Sequence, residues 1–100
     1  MHFFMRLIPP RTTFVQDMTP EEQTLMGEHA AYLKRFFEDG RLLIYGPVLA
    51  ATGPFGIGVF DVASEAEARA IMDQDPTIVA KLNRYEIDPM RVTGSRAPKS

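Results

Sequence analysis

The feature that most constrains this chain is a pair of neighbouring segments with β-strand composition, RLLIYGPVL at residues 41–49 and FGIGVFDV at residues 55–62. Turn residues between the two segments predict a hairpin. Its side chains are apolar in both directions, because Ile57 and Val59 point to one face while Phe60 points to the other. A sheet of this kind has to be covered on both faces.

The helices of a chain of 100 residues can cover only one of these faces. The other face must pack against another surface, and the simplest candidate is a second copy of the chain, so we predict a homodimer. With 45% apolar residues, each copy can also build its own core. We therefore expect residues 1–93 to form a single domain and residues 94–100 to form a flexible C-terminal tail.

A long helix is predicted from its first residues. Thr19 is a typical N-cap, Pro20 occupies the first helical position, and Glu22 completes a capping box. The helix should run to about Asp39 and stop at Gly40. Helical spacing gives it one apolar face, which consists of Leu25, Met26, His29, Ala30, Tyr32, Leu33, Phe36 and Phe37.

A second helix is predicted to start at Ser64, which forms a capping box with Glu67, and to end before Pro76. Asp75 is then well placed as the N-cap of a new short helical turn. The side chains of that turn that should pack inward are Ile78, Val79 and Leu82.

Two more strands complete the pattern, at residues 2–8 and 84–92, and Pro89 in the last is typical of a sheet edge. Residues 11–18 have no apolar period and are predicted to form a long exposed loop. The order strand, helix, strand, strand, helix, strand predicts an α+β fold: a ferredoxin-like βαββαβ protomer with a four-stranded antiparallel sheet.

Composition excludes several kinds of site. Without cysteine, the chain cannot form a disulfide framework, a thiolate zinc site, an iron–sulfur cluster or a cysteine nucleophile. Two histidines leave little for a metal, so we expect neither metal nor cofactor. The charge balance of 11 − 13 = −2 argues against nucleic acid as a partner. No apolar run approaches the roughly 20 residues of a membrane span, so we expect a cytoplasmic protein.

His29 is the first candidate for chemistry, because it lies in the middle of the apolar helix face. A lone histidine there is either a packed residue satisfied by a neighbour or a general acid or base, since imidazole changes protonation near neutral pH. Asp75 is its candidate partner, because both predicted helices lie on the same side of the sheet. A carboxylate on one ring nitrogen would fix the tautomer and leave the other nitrogen free. The alternative role for Asp75 is capping alone.

Arg6 in the first strand and Tyr45 in the second are candidate substrate-binding residues, because either could anchor an anionic or phenolic ligand. An arginine in a strand is also often simply solvated. The spacing of Gly53, Gly56 and Gly58 matches no phosphate-binding fingerprint.

Several motifs together resemble the YCII-related (YciI-like) domain family. They are HAAYLKRFFEDG beginning at residue 29, RLLIYGP at 41–47, SEAEARAIMDQDP at 64–76 and YEIDP at 85–89. The resemblance implies a dimeric α/β barrel built from two ferredoxin-like protomers. It also implies an active site centred on a His and an Asp, which correspond to His29 and Asp75. One branch of the family dehydrochlorinates a chlorinated hydroxyquinol. The chain departs from the pattern at Thr77, where the family usually has an aromatic residue.

These features favour a cofactor-independent enzyme in which His29 moves a proton on a small organic molecule, such as a phenol or a lactone, while Asp75 orients the imidazole. Arg6 or Tyr45 would stabilise the resulting anion. Two alternatives stay open: a cofactorless monooxygenase on the same barrel, and a non-catalytic dimer that binds a small ligand or serves as an accessory protein. A cavity that touches His29 would favour chemistry, and a sealed His29 would favour a structural role.

Overall fold

The computed structural model describes residues 1–96. Its strands are β1 (His2–Ile8), β2 (Leu42–Val48), β3 (Phe55–Asp61) and β4 (Arg84–Met90), and its helices are α1 (Phe14–Asp17), α2 (Pro20–Glu38), α3 (Glu65–Asp73) and α4 (Pro76–Val79). Of the predicted C-terminal tail, residues 97–100 lie outside the described residues.

The four strands form one sheet in the order β2-β3-β1-β4, and every neighbouring pair is antiparallel. This is the predicted ferredoxin-like arrangement, in which each helical connection crosses over one intervening strand. The α+β fold class is thereby confirmed. Because β4 lies at an edge of the sheet, Pro89 removes no hydrogen bond from a central strand.

One face of the sheet carries the core. Alternate residues of β1, namely Phe3, Met5 and Leu7, are buried there. Helices α2 and α3 pack onto this face and contribute five buried side chains to the same cluster, namely Leu33, Phe36, Ala68, Ile71 and Met72. We call this side of the sheet the core face.

The opposite side, which we call the outer face, is also apolar at its centre. Strand register places on it the side chains of Phe4, Ile44, Val48, Phe55, Ile57 and Val59. None of these six residues is buried, and Ile44 is 59% exposed. The structure therefore has the two-faced hairpin that the sequence indicated, with helices packed on one face only.

Two local predictions were wrong. Residues 11–18 are not a long exposed loop, because Phe14 begins the helical turn α1 and is only 3% exposed. In α4, Val79 points outward and is 66% exposed, while Thr77 is fully buried. Thr77 lies inward beside its cap Asp75, and Ile78 packs against the core as predicted, so Val79, the next residue of the turn, points to solvent.

Candidate active site

His29 and Asp75 are in direct contact, although 46 positions separate them in the sequence. His29 Nδ1 lies 2.5 Å from Asp75 Oδ2, which links the middle of α2 to the start of α4. The Asp75 side chain is fully buried, and that of His29 is 13% exposed. The pair therefore has one inaccessible member and one that reaches open space.

The second oxygen of Asp75 holds the helix turn. Oδ1 accepts hydrogen bonds from the backbone N–H of Thr77 at 2.8 Å and from its hydroxyl at 2.7 Å. Asp75 is therefore both the N-cap of α4 and the partner of His29, so the two roles considered separately for it coexist. Thr77 thus supports the carboxylate through its second oxygen.

Competing effects act on the Asp75 carboxyl. Burial on its own would raise its pKa, but the hydrogen bond and charge of His29 and the hydrogen bonds from Thr77 outweigh burial, so the pKa lies below its ordinary value. An ionised Asp75 can only accept hydrogen bonds, so Nδ1 must be the donor in the contact with His29. The neutral imidazole then has its lone pair on Nε2, which is the arrangement a general base requires.

The lowered pKa of Asp75 predicts how the stability of the protein depends on pH. A carboxyl whose pKa is depressed on folding stabilises the protein fully above its unfolded pKa, which is near 3.8, and this contribution is lost as the pH falls through the folded value. We expect the difference in free energy of unfolding between the wild type and Asp75→Asn to shrink steadily below about pH 4. Urea unfolding at a series of pH values measures it. A difference that stays constant to pH 2 would contradict the assignment.

The His29 ring lines a cavity of about 280 Å³ between α2 and the end of the sheet. Most of the wall is apolar and includes Met5, Leu7, Phe14, Leu33 and Pro47. Its polar side chains are His29, Tyr45 and Asn83. A space of this size and character suits a small, largely apolar organic molecule with a few polar groups.

The structure brings Tyr45 to the same cavity as His29, but not Arg6. Tyr45 lies on β2, and its ring packs against Phe37 with 5.5 Å between the ring centroids. Arg6 points to the outer face between buried neighbours, and its guanidinium stacks on Phe55 at 3.9 Å from the ring centroid. It lines a second cavity of about 450 Å³ on that side. Within one protomer, Arg6 and His29 are therefore separated by the sheet.

Two parts of the site were not among the residues predicted from the sequence to take part in chemistry. Phe14 and Val15 of α1 cover part of the cavity, and Asn83 contributes a polar side chain just before β4. Phe14 carries no periodic signal because its helix is a single turn. A lone Asn between a helix and a strand has the composition of an ordinary turn, so nothing in the sequence marked Asn83 as a cavity residue.

Helical turn α1 is fastened to α2 by one arginine. The Arg11 guanidinium donates to both carboxylate oxygens of Glu22, at 3.0 and 2.7 Å, and to Asp17 Oδ1 at 2.8 Å. The hydrogen bonds from Arg11 and from the backbone N–H of Thr19 lower the pKa of Glu22 to about 2. Glu22 also forms the capping box with Thr19. The same group of polar side chains therefore stabilises the start of α2 and holds α1 over the cavity.

Neither a metal centre nor a membrane span is formed by residues 1–96. In that range no three His, Cys, Asp or Glu side chains are grouped so that they could hold a metal ion. Its helices are also too short or too polar to cross a bilayer.

Comparison with known proteins identifies the family. Residues 2–91 match the YCII-related domain, and the chain belongs to this family. No curated protein matched the sequence.

Two solved structures share the fold. One is 5-chloro-2-hydroxyhydroquinone dehydrochlorinase (TftG) from Burkholderia phenoliruptrix in complex with 2,5-dihydroxybenzoquinone, which is 18% identical with a TM-score of 0.66 over 89% of this chain and 93% of that one. The other is muconolactone isomerase, which is 21% identical with a TM-score of 0.67 over 99% of this chain and 98% of that one. Both of these proteins are enzymes named for reactions of small organic molecules.

Proposed function

We propose that this protein is an enzyme that transfers protons on a small organic molecule, with His29 as general base and acid and Asp75 as the residue that orients it. One observation carries the proposal: a fully buried carboxylate holds Nδ1 of an imidazole whose ring lines a cavity. A histidine that served packing alone would not need an open space beside it. The fold shared with a dehydrochlorinase and a lactone isomerase supports the same class of reaction.

The chemistry follows from the tautomer. His29 Nε2 would remove a proton from a carbon next to a carbonyl, or from a phenol, and the ionised Asp75 would stabilise the imidazolium that forms. The substrate is then an enolate or phenolate, and the Tyr45 hydroxyl is the donor suited to stabilise its oxygen. Return of the proton to another atom completes an isomerisation, and loss of a leaving group completes an elimination.

Deuterium exchange tests the proposal without requiring the natural substrate. Lactones and hydroxylated aromatic compounds, including muconolactone and 2,5-dihydroxybenzoquinone, are incubated with the protein in D₂O and followed by proton NMR. We expect catalysed exchange of acidic C–H protons for at least one lactone or carbonyl compound. Binding without exchange would favour the ligand-binding alternative, and oxygen uptake on turnover would favour the monooxygenase.

We also propose that two protomers pair through their outer faces, which would bury the apolar side chains of the hairpin. The exposed Ile44 and its neighbours on this face support the proposal, since a monomer would leave them in water. The same pairing would bring the outer-face residue Arg6 into the interface.

The dimer makes a testable prediction. Light scattering of the wild type is expected to give about twice the 11.2 kDa of one chain. Val59→Lys places a charge on the outer face and is expected to give a folded monomer, because an unpaired charge buried in an interface is strongly unfavourable. Val79→Lys is the matched control, because Val79 is exposed on α4 on the other side of the sheet. A monomeric wild type, or a dimeric Val59→Lys, would contradict the pairing.

A further inference from the structure

Asn83 is the most unusual buried residue that the proposed proton transfer leaves unexplained. Its side chain is 4% exposed, and among residues 1–96 its Oδ1 is the one buried side-chain nitrogen or oxygen that has no hydrogen-bond partner. A buried acceptor without a partner costs about 1–3 kcal/mol, so folded proteins rarely keep one without a use for it.

The position of Asn83 is fixed by the backbone before β4. The N–H groups of Leu82 and Asn83 both donate to the carbonyl of Thr77, at 2.9 and 3.1 Å. Lys81, just before them, adopts a left-handed conformation with φ of 59°, which is unfavourable for a residue with a side chain. The turn that places Asn83 at the cavity wall therefore contains a residue with an unfavourable backbone conformation.

The carboxamide has one weak contact. Asn83 Nδ2 donates to the sulfur of Met26 at 3.5 Å, and Met26 itself lines the cavity. Met26 precedes His29 by three residues on α2, so the two lie on the same side of the helix about one turn apart. A methionine side chain is flexible and a thioether is a poor acceptor, so a ligand can displace this contact at small cost.

From this geometry we infer that Asn83 is a substrate-positioning residue. Its Oδ1 is shielded from solvent in this structure, and once a ligand displaces Met26 it accepts a hydrogen bond from a hydroxyl group of that ligand while another polar group of the same ligand meets His29. The inference rests on the proposed function and adds the substrate class: a small apolar ring or chain with a hydrogen-bond donor at the end away from the reacting atom. A ligand without that donor leaves Oδ1 unpaired and binds more weakly.

Three para-disubstituted benzenes test the inference: hydroquinone, 4-methoxyphenol and 1,4-dimethoxybenzene, which have two, one and no hydroxyl donors and gain one methyl group at each step. Affinities come from titrations followed by ¹H–¹⁵N NMR. We expect hydroquinone to bind the wild type about 3- to 10-fold more tightly than 4-methoxyphenol. In Asn83→Leu, this preference should fall to the statistical factor left by two equivalent hydroxyls. Gln23→Leu makes the same type of change at an exposed site on α2 and should keep the wild-type preference.

Stability supplies a second readout. Because the substitution removes an unpaired acceptor, Asn83→Leu is expected to unfold at the wild-type temperature or above it, whereas a structural role would lower the unfolding temperature. In the wild type, hydroquinone should shift the side-chain amide signal of Asn83 and 1,4-dimethoxybenzene should not. An unmoved amide signal, or an unchanged preference in Asn83→Leu, overturns the inference, as does a variant that fails to fold.

The outcomes separate this inference from the proposed function. If the protein catalyses deuterium exchange but the preference for hydroquinone is the same in the wild type and Asn83→Leu, only the inference about Asn83 is wrong. If the preference for hydroquinone is lost in Asn83→Leu but the wild type catalyses no deuterium exchange, Asn83 is still a ligand-binding residue and the proposed catalysis is wrong. If none of the three compounds binds, the inference fails whatever the exchange experiment gives.

Discussion

His29→Asn is expected to lower the rate of proton transfer by about 10²- to 10⁴-fold while the protein stays folded, because it removes the imidazole that is proposed to take up and release the proton. Asparagine is chosen because its amide can still donate to Asp75, so the buried carboxylate keeps a partner. The measurement is the deuterium exchange rate of an active compound, with thermal unfolding recorded in parallel.

His2→Asn is the matched control. His2 is the other histidine of the chain, it lies at the start of β1, and its imidazole is 3.9 Å from the exposed carboxylate of Asp61. We expect His2→Asn to leave the exchange rate unchanged. If His29→Asn instead retains the exchange rate and lowers the unfolding temperature, His29 is a packing residue and the proposed function is wrong.

Those parts of the molecule that are determined by local chemistry were predictable from the sequence. Thr19, Pro20 and Glu22 set the start of α2 through hydrogen bonds within four residues, and the structure contains the predicted capping box. Asp75 was recognisable as a cap for the same reason, since its Oδ1 bonds the residue two positions later. The apolar residues that alternate between both faces of β3 likewise predicted that both faces of the sheet are apolar.

The rest depends on tertiary contacts, which a local pattern does not record. Phe14 is buried because Arg11 fastens its helical turn to Glu22, eleven residues away, and no period in residues 11–18 indicates this. The separation of Arg6 from His29 follows from strand register, since a shift of one residue would exchange the two faces. Asn83 gains its significance only from the cavity and from Met26, 57 positions away.

Asp75 can be divided into its two roles by substitution, and the largest loss of stability is expected from Asp75→Ala. That change removes the cap of α4, worth about 1 kcal/mol, and leaves the donors of His29 and Thr77 unpaired in a buried site, which costs about 1–3 kcal/mol more. Urea unfolding measures the sum. The matched variant Thr77→Val removes only the hydroxyl donated to Oδ1, and we expect it to cost about 1 kcal/mol.

Asp75→Asn tests the catalytic role, because it can keep the Thr77 cap through its carbonyl oxygen while turning an amide N–H toward His29 Nδ1. The imidazole must then accept at Nδ1 and carry its proton on Nε2, so the neutral ring presents no base to the cavity. We expect the exchange rate to fall by about 10²- to 10⁴-fold while the protein stays folded. An Asp75→Asn protein that loses stability but exchanges protons at the wild-type rate would show that Asp75 acts only as a helix cap.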